Sequence, residues 1–190
     1  PGASAVVEAV KAMSSQGTVS YDPNVRPTLM GTPEEVRPRI EELISLADVV
    51  KASDEDIAWL YGKDTPIETV LHQWKAMGPG LIVATRGPWA SYAICANDRD
   101  MLAVDPLNIK VKDTVGAGDS FMAGLISGLL DAGLLGSAEA KQRLRQARLS
   151  DIQGALHRAT ITSGITVSKV GAYGPTQAEV AEVLAADPTL

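Results

Sequence analysis

The sequence is poor in cysteine and in aromatic residues. Its 190 residues include one cysteine, Cys95, which excludes an internal disulfide and is typical of a protein in a reducing cytoplasm. Only 4% of the residues are aromatic, so we expect a core of Ala, Val, Leu and Ile. No apolar run approaches the length of a membrane span and no signal peptide is recognisable, so we expect a cytoplasmic protein that does not contact membranes.

Positive charge is also scarce. The formal net charge is −6 at pH 7, which argues against a nucleic-acid partner because proteins that bind nucleic acid carry a basic surface. The basic run at 141–148 has no interleaved aromatic residues, and we interpret it as the solvent-exposed side of a helix. The remaining composition, 45% hydrophobic and 21% charged, is that of a globular protein large enough to bury a core.

Apolar runs of strand length alternate with helical patterns along the chain. The strand-like runs lie at 18–24, 48–53, 81–85, 91–96 and 100–104, and the helical patterns at 32–47, 54–62, 65–78, 117–133, 137–149 and 151–168. This alternation predicts an α/β fold with a mainly parallel sheet. Three polar segments, at 22–26, 51–56 and 84–88, follow strands and therefore fall where such sheets bind ligands.

Local signals mark helix starts and one closely packed helix. Thr32 with Glu35 predicts a capping box behind Pro33, the run at 65–68 repeats the pattern, and residues 176–179 predict a third box. The helical run at 117–133 has small residues along one side, which predicts tight packing. These residues are Ala117, Ser120, Ala123 or Gly124, and Ser127.

The stretch 116–119, Gly-Ala-Gly-Asp, opens that helix. Small residues let the backbone approach a ligand, and a helix N-terminus offers unpaired N–H groups with partial positive charge, so the stretch suits phosphate. The same field favours an ionised Asp119 that can accept a proton from a hydroxyl group. An anion hole beside a carboxylate is what phosphoryl transfer to an alcohol requires. On these residues alone, a helix capped by Asp is an equally good interpretation.

The longer stretch 113–125 resembles the second signature of the ribokinase-like (PfkB) carbohydrate kinases. It reads Asp-Thr-x-Gly-Ala-Gly-Asp and then, after three residues, Ala-Gly-Leu. The resemblance extends over essentially the whole chain and implies a three-layer α/β/α fold with a mainly parallel sheet. It also implies that residues 1–190 form the C-terminal nucleotide-binding and catalytic part of such a domain, without the N-terminal strands and the lid through which the full-length protein could form a homodimer.

The resemblance assigns roles within this motif. The family's catalytic base maps to Asp119, and its anion hole over the γ-phosphate maps to Gly116, Ala117 and Gly118. Asp113 resembles the residue that helps to hold a monovalent cation, usually K⁺. The resemblance therefore implies ATP as the phosphoryl donor, with Mg²⁺ and K⁺ as accompanying ions.

Two further segments resemble nucleotide and metal elements of the family. Thr85 and Gly87 match a Thr-x-Gly segment along the nucleotide phosphates, and Arg86 between them either touches phosphate or is a solvated loop residue. Ser53 and Asp56 stand where the family has an Asn-x-x-Glu element that organises water around Mg²⁺. The shorter acid leaves Asp56 a candidate metal residue that acts through water, and both residues also suit a helix start.

The segment 22–30 carries the expectation for the substrate. It resembles a segment shared by fructokinases and 2-keto-3-deoxygluconate kinases. Arg26 and Asn24, together with Asp119, are the candidate sugar-binding residues, although Asn24 and Asp22 also suit an ordinary turn. The resemblance favours conversion of fructose to fructose 6-phosphate. It leaves open a sugar-acid kinase and a nucleotide-binding fragment without turnover.

Overall fold

The computed structural model describes residues 2–186, in which one five-stranded sheet is covered by helices on both faces. In chain order the elements are α1 (Gly2–Ser14), β1 (Ser20–Tyr21), α2 (Pro27–Met30), α3 (Pro33–Leu46), β2 (Val49–Ser53), α4 (Asp54–Tyr61), α5 (Ile67–Met77), β3 (Leu81–Arg86), β4 (Trp89–Cys95), β5 (Leu102–Val104), α6 (Ala117–Asp131), α7 (Ala138–Gln146), α8 (Leu149–Val167) and α9 (Gln177–Ala186). Across this part of the chain, no helix combines the length and the apolar character that crossing a membrane would require.

The sheet has the order β1-β2-β3-β4-β5 and is mixed. Strands β1, β2 and β3 pair in parallel, whereas β4 pairs antiparallel with β3 and with β5. The change of direction follows from the connections. Helices α4 and α5 carry the chain back between β2 and β3, but only Gly87 and Pro88 separate β3 from β4, which permits a hairpin alone. The predicted parallel arrangement is therefore found in the first three strands.

Two apolar cores confirm the three-layer α/β/α architecture. Alternate residues of the central strands point to opposite faces, so Val49 and Val83 pack against α6 and α8. Val50 and Ile82 pack on the other face against α3, α4 and α5, where the fully buried Trp74 of α5 lies. Burial on both faces explains why β2 and β3 consist of near-continuous apolar runs.

Helix α6 packs against α8 closely enough to exclude any side chain at two of its positions. A Cβ atom on Gly128 would lie 2.5 Å from the Cα atom of Ala155, and one on Gly124 would lie 2.3 Å from Oγ1 of Thr162. The tightly packed side of α6 therefore runs through Ser120, Gly124 and Gly128. Of the two predicted alternatives, Gly124 and not Ala123 therefore lies at the contact. Ala123 and the predicted Ser127 are exposed and line a cavity on the neighbouring side of the helix.

Candidate active site

The N-terminus of α6 presents free amide groups. Gly116 caps the helix with a φ of 78°, a left-handed conformation that a residue with a side chain rarely adopts. Within residues 2–186, the N–H groups of Gly118 and Asp119 have no hydrogen-bond acceptor, whereas the amide of Ala117 donates to the carbonyl oxygen of Thr114 at 3.2 Å. Two amide donors and the positive end of a fifteen-residue helix thus face outward together, an arrangement suited to an anion.

Asp119 stands at the mouth of a cavity of about 750 Å³. Its side chain is exposed on the first turn of α6, beside the free amides. The cavity is lined by Ser127 of α6, Arg158 of α8, the segment at 172–176 and α9. Its volume is that of a pocket for a small organic ligand, and Asp119 lies where a reacting group of that ligand would meet the anion hole.

Two chain segments that are far apart in sequence are joined at Asp113. Its Oδ1 atom accepts a hydrogen bond from the amide of Val115 at 3.1 Å, and its Oδ2 atom accepts one from the amide of Gly171 at 2.8 Å. These backbone N–H groups, that of Val115 foremost, lower the pKa of Asp113. An ionised carboxylate is a hard oxygen donor of the kind that alkali-metal cations prefer, and the role of Asp113 beside K⁺ remains a prediction.

A buried hydroxyl cluster anchors the first turn of α6 to α8. Thr162 donates from Oγ1 to the carbonyl oxygen of Ser120 at 2.9 Å. The Oγ1 atom of Thr166 lies 2.7 Å from Oγ of Ser120 and 2.9 Å from the carbonyl oxygen of Tyr173. The cluster holds the residue next to Asp119 and also the loop that borders the cavity. Sequence reasoning missed it, although Thr162 and Thr166 lie four residues apart in α8 and therefore share one face of the helix.

The segment 22–26 folds as a compact turn. Oδ1 of Asp22 accepts a hydrogen bond from the amide of Asn24 at 3.0 Å, and Asn24 has a φ of 44°. Both features are those of loop-forming residues. The exposed Arg26 donates from Nη1 to the carbonyl oxygens of Val25 at 2.9 Å and Asn24 at 3.3 Å, so its guanidinium is held by its own loop. The sugar-binding roles of Asn24 and Arg26 remain predictions.

Asp56 ties this turn to the start of α4. Its Oδ1 atom accepts from the amide of Val25 at 2.9 Å and its Oδ2 atom from the amide of Ser53 at 2.9 Å, while Ser53 Oγ accepts from the amide of Asp56 at 3.0 Å. The predicted cap is therefore present, and Asp56 is buried. Among residues 2–186, no group of three or more His, Cys, Asp or Glu side chains could hold a metal ion. A role for Asp56 near Mg²⁺, exerted through water, remains a prediction.

The Thr-x-Gly segment lies at the end of β3. The hydroxyl of Thr85 is 3.4 Å from the carbonyl oxygen of Ala52 in β2, and Gly87 turns the chain with a φ of 53°. The guanidinium of Arg86 lies 4.7 Å from the ring centre of Tyr92 and is half-buried, so it stacks on an aromatic face instead of extending into solvent. The predicted contacts of Thr85 and Gly87 with nucleotide phosphates remain predictions.

Lys51 reaches the site from the middle of β2, and sequence reasoning did not select it. Its side chain is only 5% exposed, and its Nζ atom lies 2.7 Å from Oδ2 of Asp22. The same Nζ atom is 3.0 Å from where a Cβ atom on Gly118 would stand, which places the ammonium directly behind the first turn of α6. The available signal was a single lysine within the apolar strand VVKAS.

Comparison with known proteins identifies a family and relatives of the chain. The model of the pfkB family of carbohydrate kinases matches residues 2–179. A probable fructokinase-4 from Arabidopsis thaliana is 34% identical over 188 residues, which cover 97% of this chain and 54% of that protein. A fructokinase from Klebsiella pneumoniae is 32% identical over 130 residues, 68% of this chain and 41% of that protein.

Solved structures of fructokinases share the fold of this chain. The fructokinase from Xylella fastidiosa, solved with bound ATP, superposes with a TM-score of 0.82 at 23% identity over 98% of this chain and 57% of that one. The fructokinase from Vibrio cholerae O395, solved with fructose, ADP and calcium ion, superposes with a TM-score of 0.76 at 28% identity over 94% of this chain and 55% of that one.

Together, the signature at 113–125, the three-layer fold and the match over residues 2–179 show that the chain belongs to the PfkB family of carbohydrate kinases. The predicted membership is thereby confirmed. The chain spans about half the length of the curated relatives that it matches.

Proposed function

We propose that this chain supplies the nucleotide-binding and catalytic part of an ATP-dependent sugar kinase. The observation that carries the proposal is the pair of free amides at Gly118 and Asp119 beside the Asp119 carboxylate, at the mouth of a cavity of ligand size. Those amides would accept the negative charge of the terminal phosphate of ATP, and the cavity between α6, α8 and α9 would take the rest of the nucleotide.

Each group has a defined task in the transfer. The carboxylate of Asp119 orients the sugar hydroxyl and takes its proton as the hydroxyl oxygen bonds to the γ-phosphorus. The bond from that phosphorus to the bridging oxygen breaks, and ADP leaves with the bridging oxygen. Mg²⁺, when bound, neutralises phosphate charge, and Asp56 would reach its hydration shell through water. Asp113 would hold K⁺ beside the anion hole, where it adds positive potential.

The proposed substrate is fructose, which is phosphorylated at its 6-hydroxyl group. The support is that a probable fructokinase-4 and a fructokinase are among the relatives of the chain. A sugar-acid substrate such as 2-keto-3-deoxygluconate is the second candidate, because Arg26 is exposed on the turn at 22–26 and offers a guanidinium to a carboxylate. A nucleotide-binding fragment without turnover is the third, since the chain spans about half of its relatives. A cytoplasmic location and a homodimer remain predictions.

A coupled assay of ADP release separates these candidates. The chain is assayed with ATP and Mg²⁺ against fructose, 2-keto-3-deoxygluconate and ribose, alone and joined to the amino-terminal part of a fructokinase relative. We expect ADP release with fructose to exceed that with the other two sugars. If ADP is released with 2-keto-3-deoxygluconate but not with fructose, the second candidate, a sugar-acid kinase, is supported instead. If both the chain alone and the joined protein bind nucleotide but release no ADP, the third candidate, a nucleotide-binding fragment without turnover, is supported.

A further inference from the structure

Lys51 lies on a face of the sheet where its neighbours are apolar. Val49, two residues earlier in β2, and Val83 beside it in β3 belong to the core under α6 and α8. A lysine on this face buries its aliphatic stem and must bring its ammonium to a polar site, because an unpaired charge in an apolar core is strongly unfavourable. The polar site that it reaches is the N-terminus of α6.

The ammonium is only partly satisfied by the protein. It carries three N–H donors, and within residues 2–186 its one hydrogen-bond acceptor is Oδ2 of Asp22. Asp22 itself is held in place because its other oxygen accepts from the amide of Asn24. Donor capacity at Nζ is therefore left beside the free amides of Gly118 and Asp119.

The position is electrostatically costly in the absence of an anion. The N-terminus of a helix carries a partial positive charge, so a buried ammonium at that end is repelled by it. The carboxylate of Asp22 offsets the charge of the ammonium, but Asp22 belongs to the turn at 22–26 and not to the N-terminus of α6. An anion over the amides of Gly118 and Asp119 would meet the helix dipole and the ammonium together, and it would be stabilised by both.

We propose that Lys51 is a further catalytic residue, whose ammonium contacts the phosphoryl group in transit over the amides of Gly118 and Asp119. The inference rests on the proposed phosphoryl transfer and adds a cation to it. Lys51 keeps its protons and forms no bond to phosphorus; it donates hydrogen bonds to phosphate oxygens whose charge grows as the bridging bond breaks. Asp22 is the positioning residue that aims the ammonium, and the absence of a side chain at Gly118 leaves room for it.

The test measures binding of inorganic tripolyphosphate by calorimetry, which needs no sugar and no turnover. Lys51→Met keeps the length of the buried stem and removes the charge. Lys141→Met is the matched control, because Lys141 is also a buried lysine, paired with Asp48 at 3.3 Å and donating to the carbonyl oxygen of Ser14, away from α6. We expect Lys51→Met to raise the dissociation constant about 10- to 100-fold and Lys141→Met to leave it unchanged.

An unchanged dissociation constant in a folded Lys51→Met variant would overturn the proposal, as would equal weakening by Lys141→Met. If Lys51→Met does not fold, NMR of the wild-type chain provides the test. The side-chain signals of Lys51 should shift on addition of tripolyphosphate together with the amides of Gly118 and Asp119, and a shift of the amides without Lys51 overturns it. Tripolyphosphate binding that depends on Lys51, with no sugar phosphorylated, would contradict the proposed function and leave the phosphate contact standing.

Discussion

At the scale of single residues, Asp119 combines exposure with a fixed position. It is the third residue of α6, and its neighbour Ser120 is held by Thr162 and Thr166. We expect Asp119→Asn to lower kcat by a factor of about 100 to 10,000, which is the range for loss of a general base, while the fold is kept. Steady-state assays on the chain joined to the amino-terminal part of a relative measure the rate, and circular dichroism checks the fold. A rate within a factor of about three of wild type would remove Asp119 from the mechanism.

Cys95 illustrates the opposite case of a potentially reactive group without access to solvent. It lies at the end of β4, fully buried in the core under α6 and α8, and burial raises the pKa of its thiol to about 12. Because the thiolate is the reactive form, we expect no reaction with a disulfide reagent at pH 8 until the protein unfolds. Stopped-flow labelling with and without denaturant measures this. Labelling of the native protein as fast as that of the unfolded chain would contradict the burial.

At the scale of elements, the contact between α6 and α8 depends on glycine. A Cβ atom on Gly128 would press on the backbone of Ala155, which cannot rotate away. We expect Gly128→Ala to lower the free energy of unfolding by about 1–3 kcal/mol, the usual cost of overpacking. Urea unfolding followed by circular dichroism measures the change.

The matched control for that substitution is Gly154→Ala in α8. A Cβ atom on the exposed Gly154 would meet nothing within 4 Å. The same chemical change there should raise stability by about 0.5–1 kcal/mol, because alanine is the better helix former. If Gly128→Ala also raised stability, helix propensity and not the contact between the helices would account for the result.

Two predicted helix starts show which structural features a local sequence pattern can predict. The capping box of Thr32 with Glu35 is present as predicted, because every atom that it needs lies within four residues. The start predicted at Thr65 differs: α5 is capped at Pro66, and the hydroxyl of Thr65 donates to the carbonyl oxygen of Tyr61. The carbonyl at the end of the preceding helix competed for the hydroxyl, and the pattern at 65–68 does not contain that helix.

At the scale of the whole molecule, the signature at 113–125 could be found in the sequence because its residues are contiguous. The sequence marks Lys51 as an unusual residue in an apolar strand but does not reveal its role, since Asp22 follows β1 and Gly118 belongs to α6, and only the folded sheet brings them to Lys51. The mixed direction of the sheet was hidden for a related reason. Strand patterns indicate burial on both faces, whereas pairing direction depends on the two-residue connection at 87–88.

The link between Asp113 and Gly171 spans 58 residues and makes part of the stability of the molecule depend on pH. Hydrogen bonds to the carboxylate lower its pKa in the folded state, so the unfolded chain takes up a proton first as the pH falls. The stabilisation by Asp113 is therefore complete above the ordinary aspartate range near pH 4, and it is lost as the pH falls through the lowered value. We expect Asp113→Asn to be less stable than wild type at pH 7 and to lose less stability between pH 5 and pH 3.

Urea unfolding at a series of pH values measures both effects in one set of experiments. The exposed Asp100→Asn removes one negative charge without touching the link, so it separates the effect of net charge from the loss of the hydrogen bonds to Val115 and Gly171. Loss of stability on acidification that is equal in wild type and in Asp113→Asn would show that the carboxylate does not hold the two segments together. The corner proposed for K⁺ would then lack its anchor, because Asp113 is the charged group that joins the α6 motif to the loop around Gly171.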